Sequence, residues 1–126
     1  MEKDFAAVPQ TCACLNARRQ ARALTRQYDA ALKPAGLTIS QFSVLVGLKL
    51  AGPTPLQALA EAQGLERTTL TRNLRPLERD GLIRSVPGND KRQHLFTLTQ
   101  TGEHILAQAY PLWEKAQAMT HAQQKI

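Results

Sequence analysis

The sequence predicts a mainly α-helical domain with a small β-wing, in the order α-α-α-α-β-β-α, and three observations carry that prediction. Apolar residues recur every three or four positions through most of the chain, the period of helices that bury one face. Two short runs of strand character, Leu82 to Val86 and His94 to Thr99, flank Pro87-Gly88-Asn89-Asp90 and read as an antiparallel hairpin. Directly before them, Glu66 to Arg79 reads as a helix with two chemically opposite faces: Leu70, Leu74 and Leu77 form one apolar stripe, and Thr68, Arg72, Arg75 and Arg79 fall opposite. A short helix, a tight turn, a helix basic on its outer face and a hairpin together describe a winged helix-turn-helix.

Residues 1 to 11 contain Pro9 and little periodicity, so they are expected to be a loosely held arm. From about Cys14 to Lys33 a long helix is predicted, with Cys14, Ala17, Ala21, Leu24, Tyr28 and Ala31 spaced as a seam for another helix. Pro34-Ala35-Gly36 ends it. Thr38-Ile39-Ser40-Gln41 then has the Thr-x-x-Gln form of a capping box, in front of a buried helix carrying Phe42, Leu45, Val46 and Leu50. Gly52-Pro53 stops that helix, and Thr54-Pro55 is expected to cap a third, with proline at the first helical position where its missing amide costs nothing. Gly64 closes the third helix and leaves only a short turn before the Thr-rich fourth. A last helix runs from about Thr99 through Ile105, Leu106, Ala109, Leu112, Trp113 and Ala116, with Pro111 in its interior where a kink is expected.

A chain of 126 residues is the size of a single domain with one core. A formal net charge of +6 favours a polyanionic partner, and residues 66 to 92 carry seven basic side chains against four acidic ones. The four residues Met1-Glu2-Lys3-Asp4 lack the layout of a signal peptide, and no apolar run approaches the roughly 20 residues of a membrane-spanning helix. A cytoplasmic protein with no membrane partner is expected. Two cysteines, Cys12 and Cys14, are too few for a disulfide framework or a four-ligand zinc site, and His94, His104 and His121 show no metal-ligand spacing. No phosphate-binding glycine loop, nucleophile elbow or acid–base pair is present, so no enzyme, metal or cofactor is expected.

Over roughly residues 13 to 120 the sequence resembles the MarR family of multiple antibiotic resistance regulators. The resemblance rests on Asp90-x-Arg92 followed by Leu98-Thr99-x-x-Gly102 at the wing, on Leu59-Ala60 with Thr68-Thr69-Leu70-Thr71-Arg72, and on Leu77-Glu78-Arg79-Asp80-Gly81-Leu82. It implies a single domain in which 13–33 and 100–126 form a helical dimerisation lobe and 38–99 a winged-helix DNA-binding lobe. It further implies a homodimeric, sequence-specific regulator of transcription, a repressor released by a small ligand or an oxidant, on a pseudopalindromic site in double-stranded DNA. Families of this type often bind aromatic effectors between the two lobes. Members usually continue into another C-terminal helix that completes the dimer lobe, whereas this chain ends at Ile126. The alternative is accordingly an interaction module, or a nonspecific DNA-binding protein with an incomplete dimer lobe.

Within that frame each candidate residue has a chemical role. Arg72 and Arg75 offer planar donor forks to guanine edges or phosphates, and Thr68 and Thr69 near the helix start can bond phosphates beside backbone amides. Arg92 at the hairpin tip suits a narrow minor groove, with Lys91 beside it. Asp90 is a poor DNA contact; it is expected to orient an arginine by an ion pair or to close the turn with an Asx bond. Cys14 is a candidate redox sensor through its likeness to the peroxide-sensing cysteine of the organic hydroperoxide resistance regulators. A silent thiol packed in the helix seam is the favoured reading, because Tyr28 lies roughly 21 Å further along the same helix and position 18 is Arg18.

Overall fold

The structure, a computed structural model, describes residues 2–90 and 92–124. The N-terminal residues expected as a loose arm are in part helical, with a 3-10 turn at Phe5–Ala7 and a single turn, α1, at Val8–Thr11. Pro9 sits in the first turn of α1, where an amide has no helical acceptor to lose. Side chains of the following helix hold this arm: Arg19 Nη1 donates to the Pro9 carbonyl at 3.2 Å, and Asn16 Nδ2 to that of Gln10 at 3.4 Å.

The long first helix is α2, Ala13–Leu32. Its C-terminal end enters the core through Leu32, which is fully buried, and Gly36 then turns the chain in the left-handed region at φ 74°. The capping box forms as the spacing predicts: Thr38 Oγ1 accepts from the Gln41 amide at 3.1 Å, and Gln41 Oε1 accepts from the Thr38 amide at 3.0 Å. It opens α3, Ile39–Ala51, whose Phe42, Val44, Leu45 and Leu48 are buried at the centre of the molecule. Leu50, placed by the sequence on the buried stripe, is instead 83% exposed. Two residues past Leu48 a side chain has turned about 200° around the helix and off the stripe.

The cap expected at Thr54-Pro55 does not form. Those residues make a two-residue strand, β1 (Thr54–Pro55), and the Thr54 hydroxyl donates to the Gly52 carbonyl at 2.7 Å. Pro55 is extended, so α4, Leu56–Gln63, starts one residue later. After the turn comes α5, Arg67–Arg79, and then the hairpin β2 (Ile83–Pro87) and β3 (His94–Leu98). The sheet has three antiparallel strands in the order β1-β3-β2, with Thr54 opposite Phe96 and Ile83 opposite Leu98. Proline is tolerated in β1 because an edge strand has no second neighbour needing its amide.

The last helix, α6 (Gln100–Gln124), is one element through Pro111, as α5 is through Pro76. Each proline leaves the carbonyl four residues earlier without its usual helical donor. At its start Thr99 Oγ1 accepts from the Gly102 amide at 3.0 Å, while the Thr99 amide donates to the Leu82 carbonyl at 3.1 Å. A single residue thus caps α6 and ties it to the strand entry. One core joins α3, α4, α5, β2 and Ala109 of α6, and Trp113 stacks over Phe42 with ring centroids 6.0 Å apart.

Candidate nucleic-acid interface

The turn between α4 and α5 is made by Gly64 in the left-handed region, which lets the Leu65 amide reach back to the Ala60 carbonyl at 3.0 Å. Glu66 is extended and α5 begins at Arg67. Leu70, Leu74 and Leu77 are all buried, as the four- and three-residue spacing predicts, and they fix the roll of the helix about its own axis. A polar clasp adds to this, since Asn73 Nδ2 donates to Ser40 Oγ at 2.6 Å across α3.

With that stripe docked, Thr68, Thr69, Arg72, Arg75 and Arg79 are exposed. Thr68, Arg72 and Arg75 line one open hollow of about 690 Å³ together with Leu56, Arg67 and Thr71, whereas Thr69 lies outside that lining. Sequence reasoning missed Arg67 and Thr71. The signal was present, because Arg67, Thr71 and Arg75 form an i, i+4, i+8 line beside Thr68 and Arg72. Thr71 Oγ1 donates to the Arg67 carbonyl at 2.8 Å, which restrains its rotamer.

The wing tip is a six-residue loop from Gly88 to Gln93, closed by the Gly88 amide on the Gln93 carbonyl at 2.7 Å and the Gln93 amide on the Asp90 carbonyl at 2.9 Å. Asp90 Oδ1 accepts from the Arg92 amide at 3.2 Å, an Asx bond that spans the turn. Among the described residues the ion pairs are Lys49–Glu103 and Arg79–Asp80, so the Asp90 carboxylate holds the Arg92 backbone and not its guanidinium. The Arg92 side chain is exposed; Lys91, also expected at this tip, lies outside the described residues.

The remaining candidates are away from α5. Cys14 is exposed and Cys12 half-buried, so the packed, silent thiol expected for Cys14 is not found within this protomer. The first turns of α2 project beyond the core, and the nearest polar contact of Cys14 Sγ is Arg18 Nη2 at 3.8 Å. Tyr28 points elsewhere, donating its hydroxyl to Gln117 Oε1 on α6. His104 and His121 each meet a glutamine one turn away, and no group of three metal-capable side chains occurs among the described residues. Leu24, Thr25, Tyr28, Ile39, Trp113 and Gln117 line an open hollow of about 280 Å³ between α2, α3 and α6. No single described helix is long and apolar enough to cross a membrane.

Comparison with known proteins gives a consistent result. The model of the MarR family matches residues 37–94, from the approach to α3 through the wing. The uncharacterised HTH-type transcriptional regulator YwoH of Bacillus subtilis (strain 168) is 34% identical over 85 residues, covering 68% of this chain and 62% of the relative. The chain therefore spans about three-fifths of that curated relative's length. Among solved structures, the M. tuberculosis transcriptional regulator MosR in complex with DNA superposes with a TM-score of 0.82 at 47% identity, covering 88% of this chain and 81% of that one. A mutant MarR from E. coli complexed with operator DNA gives a TM-score of 0.77 at 26% identity, covering 87% and 79%.

Proposed function

This chain belongs to the MarR family, and on that premise we propose that it is a sequence-specific DNA-binding regulator of transcription, acting as a homodimeric repressor. The observation that carries the proposal is the division of α5: its leucines are locked into the core while Arg67, Thr68, Thr71, Arg72 and Arg75 line one outward hollow. A helix held this way presents its polar face as a rigid body, which is what insertion into a major groove requires. Arg72 and Arg75 supply forked donors to guanine edges or phosphates, and Thr68 and Thr69 anchor phosphates near the helix start. Arg92 and Lys91 at the wing reach the adjacent minor groove, and Asp90 keeps the tip in shape through its bond to the Arg92 amide. That two similar proteins were solved on DNA supports the assignment.

In this reading residues 13–33 and 100–126 build the dimer lobe and 38–99 the DNA-binding lobe. The hollow under Tyr28 and Trp113 lies where α2 and α6 meet α3, so an aromatic effector lodged there would bias the angle between the lobes and release DNA. Oxidation at Cys14 is the other candidate release signal. The partner is double-stranded DNA with a pseudopalindromic site, because one helix reads only a few base pairs and a twofold dimer places two helices about 34 Å apart in successive major grooves.

Sedimentation and fluorescence anisotropy on the DNA flanking the chain's own gene test this. A dimer should bind the full pseudopalindrome at least a hundredfold more tightly than a half-site. A monomer that binds half-site and full site equally would refute the architecture.

A further inference from the structure

A second surplus of positive charge lies away from α5 and the wing. Residues 13 to 33 carry five cations (Arg18, Arg19, Arg22, Arg26 and Lys33) against the single carboxylate of Asp29, whereas residues 66 to 92 carry seven cations against four. Arg18, Arg22 and Arg26 follow the four-residue spacing and therefore line one side of α2, away from the seam residues Ala17, Leu24 and Tyr28. All five cations are exposed. Asp29 Oδ1 accepts from the Ile39 amide at 2.8 Å, and Asp29 forms no ion pair with these cations among the described residues. No ion pair involves this stripe among the described residues; Arg18 Nη2 meets Cys14 Sγ and Arg19 Nη1 meets the Pro9 carbonyl.

We propose that the Arg18-Arg22-Arg26 side of α2 is a second phosphate-backbone site, which binds duplex DNA independently of α5 and the wing. Three features favour a nucleic-acid duplex as the occupant. A face that only keeps a protein soluble mixes both signs of charge, whereas this one sets five cations against one half-buried carboxylate, Asp29. Four of its five cations are arginine, whose planar fork matches phosphate oxygens and is less strongly hydrated than an ammonium group. Successive members of the line are about 6 Å apart along a rigid helix, close enough for each to find a phosphate on a strand carrying one charge per roughly 3.4 Å. The face carries a single large apolar side chain, half-buried Leu15, too little for the apolar stripe by which a helix enters a lipid surface. Because α2 packs on α6 and α3, and α3 in turn on α5, the stripe and the recognition helix belong to separate parts of the molecule.

The experiment removes the first interface and asks what remains. In the full chain carrying Arg67→Ala, Arg72→Ala, Arg75→Ala, Lys91→Ala and Arg92→Ala, anisotropy with a labelled random-sequence duplex of 30 base pairs at low salt should still show binding. Its slope of log K against log[salt] should correspond to about three phosphate contacts, near −2.7. Adding Arg18→Ala, Arg22→Ala and Arg26→Ala should abolish that binding with the melting temperature unchanged, and the same three positions changed to lysine should restore most of the slope. Complete loss of duplex binding in the first variant would overturn the proposal, as would persistence in the second. Capture of anionic phospholipid vesicles by the first variant, with no capture of duplex, would overturn it in favour of a membrane surface. Failure of the α5 assignment is separately visible, as unchanged affinity for the flanking DNA when Arg72, Arg75 and Arg92 are removed.

Discussion

Replacing Gly102 by alanine should destabilise the protein far more than a single methyl group suggests. Gly102 lies in the first turn of α6 against the start of the wing, and a Cβ built there would collide with the Leu82 carbonyl oxygen and come within 2.8 Å of Leu98 Cδ1. The leucine tip can yield, but the carbonyl cannot, because it already accepts the Thr99 amide at 3.1 Å and belongs to the residue entering β2. Overpacking of a tight site costs up to about 3 kcal/mol, and a weakened Thr99–Leu82 bond adds about 1 kcal/mol. Alanine's better helix propensity returns about 1 kcal/mol. The net loss is about 3 kcal/mol, which for a domain of this size lowers the melting temperature by roughly 10 °C. Circular dichroism melts of parent and variant at equal protein concentration measure it, the concentration being fixed so that self-association does not shift the comparison. A variant melting within about 2 °C of the parent would show that α6 can slide away from Leu82, and that the Thr99–Gly102 junction is not rigid.

Three further outcomes follow from the geometry. Arg92→Ala should weaken operator binding about tenfold and reduce the salt slope by about one, with an unchanged melt; an unaltered slope removes the wing from DNA contact. Thr38→Ala removes one half of the capping box at α3 and should cost about 1 kcal/mol in urea titration, so a change below about 0.3 kcal/mol would mean that the Gln41 side chain alone holds the helix start. In the native protein a maleimide should modify exposed Cys14 before half-buried Cys12, as read by mass spectrometry of the cysteine-containing peptide after partial labelling. Equal rates would show that a further contact covers Cys14 in solution.

Where periodicity or a cap carried the signal, the sequence was sufficient to place residues. The roll of α5 follows from Leu70, Leu74 and Leu77, and once that roll is set Thr68, Arg72 and Arg75 must face outward. The capping box at Thr38 and the Asx bond at Asp90 depend on residues two or three apart, so they too could be read locally. What escaped is what depends on distant partners. Strand β1 is two residues long and exists only because Phe96 and Leu95, some forty positions later, lie beside it. Such a strand has no period of its own, and Thr54-Pro55 mimics a helix start. Cys14 sits on a seam-like repeat, yet the first turns of α2 extend past the elements that could bury them. The basic side of α2 is legible in the four-residue spacing of Arg18, Arg22 and Arg26.

The strand β1 links the wing and the helix-turn-helix mechanically. Thr54 and Pro55 are hydrogen-bonded neighbours of β3, the inner strand of the wing, and the next residue, Leu56, begins the first helix of the helix-turn-helix. Bending the hairpin therefore pulls on the pivot from which α4 and α5 swing, so in the proposed binding mode the wing would not follow a widening minor groove without dragging the recognition helix along its major groove. Under the proposed mode of binding, each protomer would meet DNA as one stiff bracket of fixed span. Adaptation to operators of different groove width or half-site spacing must then come from outside the bracket, in the segment around Gly36 where α2 gives way to α3.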